Sequence, residues 1–376
     1  MIANSPLDKA RRYQAIKLRL FLLSTVSELL ALVALLFSGL SHEMRSWATR
    51  LTSVAPFQVL IYFLILGAAG QVLSFPLDYI RGHWIERRYD LSNRTLKGWL
   101  WDWSKALAVT AILGLIMVQI VYALLRFSEN HWWWITALIF AGWVVLLTQL
   151  APVVLLPIFY KYRPLEREDL RQRLIQLAQR CGCPVLDVFE LALSEKTKAA
   201  NAALAGWGRT RRILLGDTLL NHYTPDEIEA VLAHELAHHR YHHLRKGILI
   251  ECGFILLGFF LADNFLQMSL APLDFRSKAD LAAFPVMGLS FAVLAGILLP
   301  LVNGISRRYE FQADRFAAQL TGAEPLISAL QKLALQNLSD PEPPRWAEFL
   351  FYSHPAIGKR LETLKKGQLD HTKEAQ

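Results

Sequence analysis

Apolar residues are gathered into six long runs along the chain. The runs lie near residues 18–40, 56–80, 105–127, 132–159, 247–270 and 281–303. Each is long enough for a helix to cross the ~30 Å hydrocarbon core of a bilayer. The pattern therefore predicts a mainly α, polytopic bundle of six transmembrane helices. The first run follows a basic segment but is too long for a signal peptide, so we interpret it as an uncleaved anchor.

The composition and charge agree with a membrane protein. The 376 residues are 53% hydrophobic and 19% charged, more apolar than is usual for a soluble chain. The net charge of +8 comes from Lys and Arg residues that flank the apolar runs. Such a distribution is typical of orientation in a bilayer, so we expect a lipid environment and no nucleic-acid partner. Three cysteines are too few for a disulfide framework.

The connections between the runs differ in their Lys and Arg content. The N-terminus and the loop 81–104 are basic, whereas the turn 128–131 has no Lys or Arg and the loop 41–55 has only two. The positive-inside rule then puts both termini in the cytosol. We expect four parts: a membrane region with four spans, a cytosolic part, two further spans and a second cytosolic part, at residues 1–160, 161–246, 247–303 and 304–376.

The first cytosolic part has the pattern of a small α/β unit. Leucines at helical spacing predict a helix over 165–180, and strand formers predict a strand over 185–193. Two apolar segments around Gly206 predict a hairpin, and so a small β-sheet. Thr224, followed by Pro225 and by Glu227, has the pattern of a helix start with a capping box.

The predicted helix carries VLAHELAHHRYHH, residues 231–243, with five histidines. Three pairs have i,i+4 spacing: His234/His238, His238/His242 and His239/His243. Only the first pair has a glutamate directly after its first histidine, which gives the HExxH pattern of zinc hydrolases. We therefore predict that His234 and His238 bind zinc and that Glu235 is the general base. The remaining three histidines, His239, His242 and His243, are expected to lie solvated on the helix surface.

A further zinc ligand is expected from EFQAD, residues 310–314, just beyond the last span. Glu310 and Asp314 share one helix face, so one can bind the metal while the other accepts a hydrogen bond from a ligand imidazole. The residues alone leave open which of the two is the ligand.

Several segments together resemble the integral-membrane zinc metalloproteases that include CAAX prenyl protease 1, with relatives of the HtpX type. The similarity extends over residues 65–365 and rests on SFPLDYIRGHWIERRYDLSNRT, APVVLLPIFYKYRPL, NAALAGWG, HELAHH, RRYEFQADRFA and SHPAIGKRL. It implies a cytosolic, gluzincin-like protease domain with one Zn²⁺ per chain. Its expected location is the bacterial plasma membrane, and its expected substrate is a peptide or a membrane protein, prenylated or not.

The resemblance also implies roles for individual residues. Glu310 becomes the third zinc ligand and Asp314 the hydrogen-bond partner of a ligand. Asn201 and Ala202 match the segment that binds substrate as an added strand. His354 and Arg360 match the pair that stabilises the tetrahedral intermediate.

Two alternatives stay open at this point. Without the resemblance, His354 fits a loop before a helix and Arg360 fits the solvated face of that helix. The chain could also be a non-catalytic membrane bundle, a transporter or scaffold with a structural zinc site. A structural site is closed by four protein ligands, and three ligands beside a glutamate favour catalysis.

Overall fold

The computed structural model describes residues 5–206 and 211–374, so Trp207 and Gly208 of the NAALAGWG segment lie outside the described residues. Its helices in the membrane region are α1 Pro6–Phe37, α2 Leu40–Leu51, α3 Ala55–Tyr79, α4 Ile85–Arg88, α5 Leu96–Phe127, α6 Trp132–Leu150 and α7 Leu156–Phe159. Two π-helical turns, Ile80–Trp84 and Ala151–Leu155, connect α3 to α4 and α6 to α7. The remaining helices are α8 Glu168–Arg180, α9 Asp217–Leu220, α10 Pro225–Arg240, α11 His243–Ser269, α12 Phe284–Thr321, α13 Ala323–Gln336, α14 Arg345–Phe351 and α15 Ile357–Glu374.

Six helical segments in the described part of the chain are long and apolar enough to cross a membrane. They are Pro6–Phe37, Ala55–Arg88, Leu96–Phe127, Trp132–Phe159, His243–Ser269 and Leu281–Thr321. The six-span expectation is confirmed. The connection 41–55 between the first two spans contains helix α2, which buries Ser41, Met44 and Ala48. The expected loop 81–104 is likewise mostly helical.

The spans pack around aromatic side chains at the end of the bundle far from the histidine cluster. Tyr62 and Trp132 are fully buried there. Helices α11 and α12 approach closely at Gly258, where a Cβ would lie only 2.3 Å from the Phe291 ring. Ion pairs close this end of the bundle, with Lys278 Nζ 2.8 Å from Asp263 Oδ1 and Arg45 Nη1 2.6 Å from Asp280 Oδ2.

The second part of the chain contains a four-stranded sheet, as expected. Its strands are β1 Tyr162–Pro164, β2 Val188–Leu191, β3 Ala202–Ala205 and β4 Arg212–Gly216, in the order β1-β2-β4-β3. Strands β3 and β4 form the predicted antiparallel hairpin, and β2 runs parallel to β4. Strand β1 was not predicted. Strand β3 lies at one edge of the sheet, and helix α10 packs against it.

Helix α10 begins as the sequence predicts. The Thr224 hydroxyl accepts the Glu227 N–H, and the Glu227 carboxylate accepts the Thr224 N–H. The helix ends at Arg240, however, which is earlier than the histidine pattern implied. His242 has a left-handed backbone, with φ of 57°, and α11 begins at the next residue. Since no continuous helix runs from 238 to 243, the His238/His242 and His239/His243 pairs do not have the predicted i,i+4 geometry.

Candidate metal centre

His234, His238 and Glu310 converge at one point between α10 and α12. Each residue offers a ligand atom, and the three ligand atoms lie within 4.8 Å of one another. The two Nε2 atoms are 3.2 Å apart, and they lie 3.5 and 3.4 Å from the Glu310 carboxylate oxygens. Two imidazole nitrogens and a carboxylate are the donor set of many catalytic zinc sites.

The Glu310 carboxylate supports a metal at this point. Its Oε2 atom is buried and has no hydrogen-bond partner among the described residues. His354 Nδ1 lies 2.9 Å from it, but the two are not aligned as a hydrogen bond. An unsatisfied buried carboxylate oxygen is costly, and a divalent cation held by these three side chains would satisfy it. The residues present therefore fit zinc.

Asp314 contacts the His234 ring at Nδ1, the nitrogen that does not face Glu310. Its Oδ1 is 2.9 Å from His234 Nδ1, so the Nε2 atom of that ring faces Glu310 and His238. Burial favours the neutral His234 ring, but Asp314 and Glu310 outweigh burial and raise the pKa of His234 to about 9. The same Asp314 carboxylate accepts two hydrogen bonds from Arg360.

Arg360 is buried, with 8% of its surface exposed, and it lines the groove above Glu310. The interpretation that places it on a solvated helix face is therefore wrong. Burial opposes the charge of Arg360, but Asp314 holds the pKa of its guanidinium above the usual value. His354, in contrast, is mostly exposed, with a 68% accessible side chain at the mouth of the same groove.

Glu235 lines this groove together with His354 and Arg360. Burial raises the pKa of the Glu235 carboxyl, and the nearby His234 and His238 rings partly offset the effect. A carboxylate with a raised pKa can accept a proton and return it near neutral pH.

Asn201 and Ala202 lie at the start of edge strand β3 and line the same groove. The residue directly before them, Ala200, is held by Asn337, which the sequence did not single out. The Asn337 side chain accepts the Ala200 N–H at 3.0 Å and donates to the Ala200 carbonyl at 3.2 Å. Asn337 lies 137 residues away from Ala200, and no local signal connects the two.

The remaining histidines do not belong to the converging group. His242 is exposed, as expected. The expectation of a solvated side chain is wrong for His243, which is 5% exposed and lies with its Nδ1 3.0 Å from His238 Nδ1. Helical spacing could not reveal this contact, because it depends on the left-handed turn at His242.

Comparison with known proteins assigns the family. The family model for peptidase family M48 matches residues 164–368, which is more than half of the chain. The chain belongs to peptidase family M48. Residues 1–161 match a second model, described as the CAAX prenyl protease N-terminal region with five membrane helices. In the described part of that region this chain has four candidate spans and the short helix α2.

Individual relatives cover most of the chain. A metalloprotease from Bacillus subtilis, YhfN, is 28% identical over 367 residues, covering 96% of this chain and 86% of its own length. CAAX prenyl protease 1 from Saccharomyces cerevisiae is 29% identical, covering 82% and 72%. The crystal structure of S. mikatae Ste24p superposes with a TM-score of 0.85 at 25% identity, covering 96% and 89%. The expected fold and family are thus confirmed, and the chain is a membrane zinc metalloprotease.

Proposed function

We propose that the chain is an endopeptidase that holds one zinc ion through His234, His238 and Glu310. The observation that carries the proposal is the convergence of these three ligand atoms within 4.8 Å, together with the buried Oε2 atom of Glu310, which accepts no hydrogen bond from the described residues. When bound, zinc would polarise the scissile carbonyl and lower the pKa of a water molecule, so that the water loses a proton more easily as it attacks.

Glu235 is the general base in this proposal. It lines the groove beside the ligands, and its raised pKa suits a group that takes a proton from the attacking water. The same carboxyl then passes the proton to the leaving amine.

His354 and Arg360 supply hydrogen-bond donors for the oxyanion. The Nε and Nη2 atoms of Arg360 are engaged by Asp314, and its Nη1 faces Glu310 at 3.5 Å. Asp314 thereby fixes the guanidinium plane of Arg360, a residue that lines the groove. His354 lies at the mouth of the same groove, and its Nδ1 atom is 2.9 Å from the Glu310 oxygen that Arg360 also faces, so its imidazole can serve as a second donor near the reacting centre.

Substrate is proposed to bind as an added strand. Strand β3 is the edge of the sheet, and Asn201 and Ala202 line the groove that contains Glu235. An extended peptide can pair with a free sheet edge through its main chain, largely independent of its side chains. Relatives named CAAX prenyl protease 1 support a peptide or a prenylated protein as the substrate class.

The test is cleavage of an unfolded peptide and of a prenylated peptide by the purified full-length protein and by Glu235→Gln. Wild type is expected to cleave and to carry one zinc ion per chain. Glu235→Gln is expected to keep the zinc and to lose nearly all turnover. Equal turnover by the two proteins would refute the assignment of the base.

A structural zinc site in a non-catalytic bundle predicts a different result. Such a site needs a fourth protein ligand, and the group in the described part of the chain has three members. A zinc-loaded wild type that cleaves neither peptide would favour this alternative.

We also propose that the active site faces the cytosol from a bacterial plasma membrane. The Lys and Arg distribution supports this orientation. Single cysteines at the exposed positions Glu166 and Glu129 can test it once Cys181, Cys183 and Cys252 are replaced by alanine. We expect Glu166→Cys to react with an impermeant reagent only in inverted vesicles and Glu129→Cys only in intact cells. The reverse pattern would place the site outside the cytosol.

A further inference from the structure

Each of the two histidines of the metal centre has a partner at Nδ1, the ring nitrogen that does not face Glu310. The outer nitrogen of His234, Nδ1, lies 2.9 Å from Asp314. The outer nitrogen of His238, also Nδ1, lies 3.0 Å from Nδ1 of a second imidazole, that of His243. The sequence predicted a carboxylate behind one ligand, but it did not predict any partner for the other.

His243 has little freedom to move. Its ring stacks on Tyr309, with the centroids 4.0 Å apart and the planes at 7°. Its Nε2 atom lies 3.0 Å from the side-chain oxygen of Gln312, and the residue is buried. The left-handed backbone of His242 turns the chain so that the first residue of α11 lies beside the last turns of α10. The ring is therefore held on one face by Tyr309 and at both nitrogens by His238 and Gln312.

The contacts from Gln312 through His243 to His238 determine which nitrogen of each ring carries the proton. An amide oxygen can only accept, so His243 must carry its proton on Nε2, where it donates to Gln312. His243 Nδ1 is then an acceptor, and His238 must donate to it from Nδ1. This leaves the lone pair of His238 on Nε2, the atom that faces Glu310.

We propose that His243 is a positioning residue that holds His238 in the tautomer and ring orientation that bind the metal. This inference rests on the proposed zinc site and assigns His243 no contact with the metal. It gives His243 the role toward His238 that Asp314 has toward His234. Helix α11, which enters the membrane, thereby supports a ligand carried by α10.

The expected size of the effect follows from similar outer partners in other metal sites. Loss of such a partner typically costs about 10- to 100-fold in metal affinity. The affinity falls because a ligand histidine without this partner also adopts the other tautomer and other ring orientations, which it must give up when it binds the metal.

The experiment compares a variant of His243 that keeps a ring but lacks the acceptor with one that keeps an acceptor but lacks the ring. His243→Phe keeps a flat ring against Tyr309 but has no acceptor. His243→Asn loses the ring, but its side-chain oxygen can take the place of Nδ1. His239→Gln, on the last turn of α10, is the matched control. Zinc affinity is measured by competition with a chelator in the purified full-length proteins, and the Tm of each metal-free protein reports folding.

We expect His243→Phe to bind zinc about 10- to 100-fold more weakly than wild type. His243→Asn should recover most of that affinity, and His239→Gln should bind as wild type does. Wild-type affinity in His243→Phe would overturn the proposal, and so would an equal loss in His243→Asn and His243→Phe. If wild type itself binds no zinc, the proposed function fails instead.

A second pair of variants leaves His243 in place, in case its substitution impairs folding. Gln312→Leu removes the oxygen that fixes the His243 tautomer, whereas Gln312→Glu keeps an acceptor there. Gln312→Leu is expected to weaken zinc binding and Gln312→Glu to preserve it. Equal zinc affinities in these two variants would contradict the proton order on which the proposal depends.

Discussion

Arg360 and Asp314 are joined by two parallel hydrogen bonds, from Nε to Oδ2 at 2.7 Å and from Nη2 to Oδ1 at 2.6 Å. Both residues are buried, and the same carboxylate contacts His234 Nδ1. Asp314 thus connects a proposed zinc ligand to a proposed oxyanion donor. This single carboxylate contacts the proposed ligand on one side and orients the Arg360 guanidinium on the other.

Asp314→Ala should therefore impair both metal binding and folding. Zinc affinity should fall about 10- to 100-fold, because His234 loses the partner that fixes its tautomer. The fold should lose about 3 kcal/mol, because Arg360 stays buried without its nearest counter-ion and keeps only the longer contact with Glu310. Chelator competition and thermal unfolding measure the two effects. Glu362→Ala, in an exposed pair with Lys366, is the control and should change neither. An unchanged zinc affinity in Asp314→Ala would show that His234 does not need this partner.

His354→Ala should lose turnover while it keeps zinc and fold. The side chain is mostly exposed, so its removal leaves no cavity. A donor that acts on the oxyanion contributes mainly in the transition state, and its loss typically costs ~10²–10³ in kcat. Steady-state kinetics should show a lower kcat with a nearly unchanged KM, and His222→Ala, another exposed histidine, should behave as wild type. A kcat near that of wild type would remove His354 from the mechanism.

Gly358→Ala should displace the helix that carries Arg360. A Cβ at this position would lie 2.8 Å from the carbonyl oxygen of Pro341, whose backbone cannot easily yield. The start of α15 would have to shift, and we expect a lower kcat with zinc content unchanged, because none of the three ligands lies on α15. Gly367→Ala is the matched control on the same helix, since a Cβ there meets nothing within 4 Å. Equal activity in the two variants would mean that α15 tolerates the shift.

Glu227→Gln should destabilise the start of α10. The buried carboxylate accepts hydrogen bonds from the Thr224 N–H, from Ser328 and from Lys332. Loss of its charge should cost about 1.5–3 kcal/mol, measured as a lower Tm. Asp226→Asn, an exposed residue in the same turn, should have a much smaller effect.

The cost of Glu227→Gln should also depend on pH. Burial acts to raise the pKa of Glu227, but Lys332, Ser328 and the Thr224 N–H outweigh it and lower the pKa. A lowered pKa stabilises the fold above the unfolded value of about 4.3, and this stabilisation is lost as the pH falls through the folded pKa. The difference in Tm between wild type and Glu227→Gln should be full at neutral pH and shrink below about pH 4. A difference in Tm that grows as the pH falls would contradict a lowered pKa of Glu227.

The sequence predicted what depends on local patterns. The six spans follow from hydropathy, the start of α10 from its capping box, and the HExxH helix face from helical spacing. The sequence does not predict the end of α10, because the residues at its end, Tyr241 and His242, are neither glycine nor proline. The burial of Arg360 depends on Asp314, which is 46 residues distant in the chain. Contacts of this kind arise from packing between helices, and spacing along one helix carries no information about them.

On the proposed function, helix α12 would also set the distance between the bilayer and the peptide bond that is cleaved. Its apolar segment 284–303 has 20 residues, or about 30 Å along the axis, and Glu310 follows seven residues later, about 10 Å beyond. Because the helix is continuous, the number of residues sets the distance along its axis between the apolar segment and Glu310. A substrate anchored at the membrane surface must cover that distance, with about three extended residues or with a lipid of similar length. A peptide bond held closer to its anchor, or one buried in the hydrocarbon, would be out of register with Glu235.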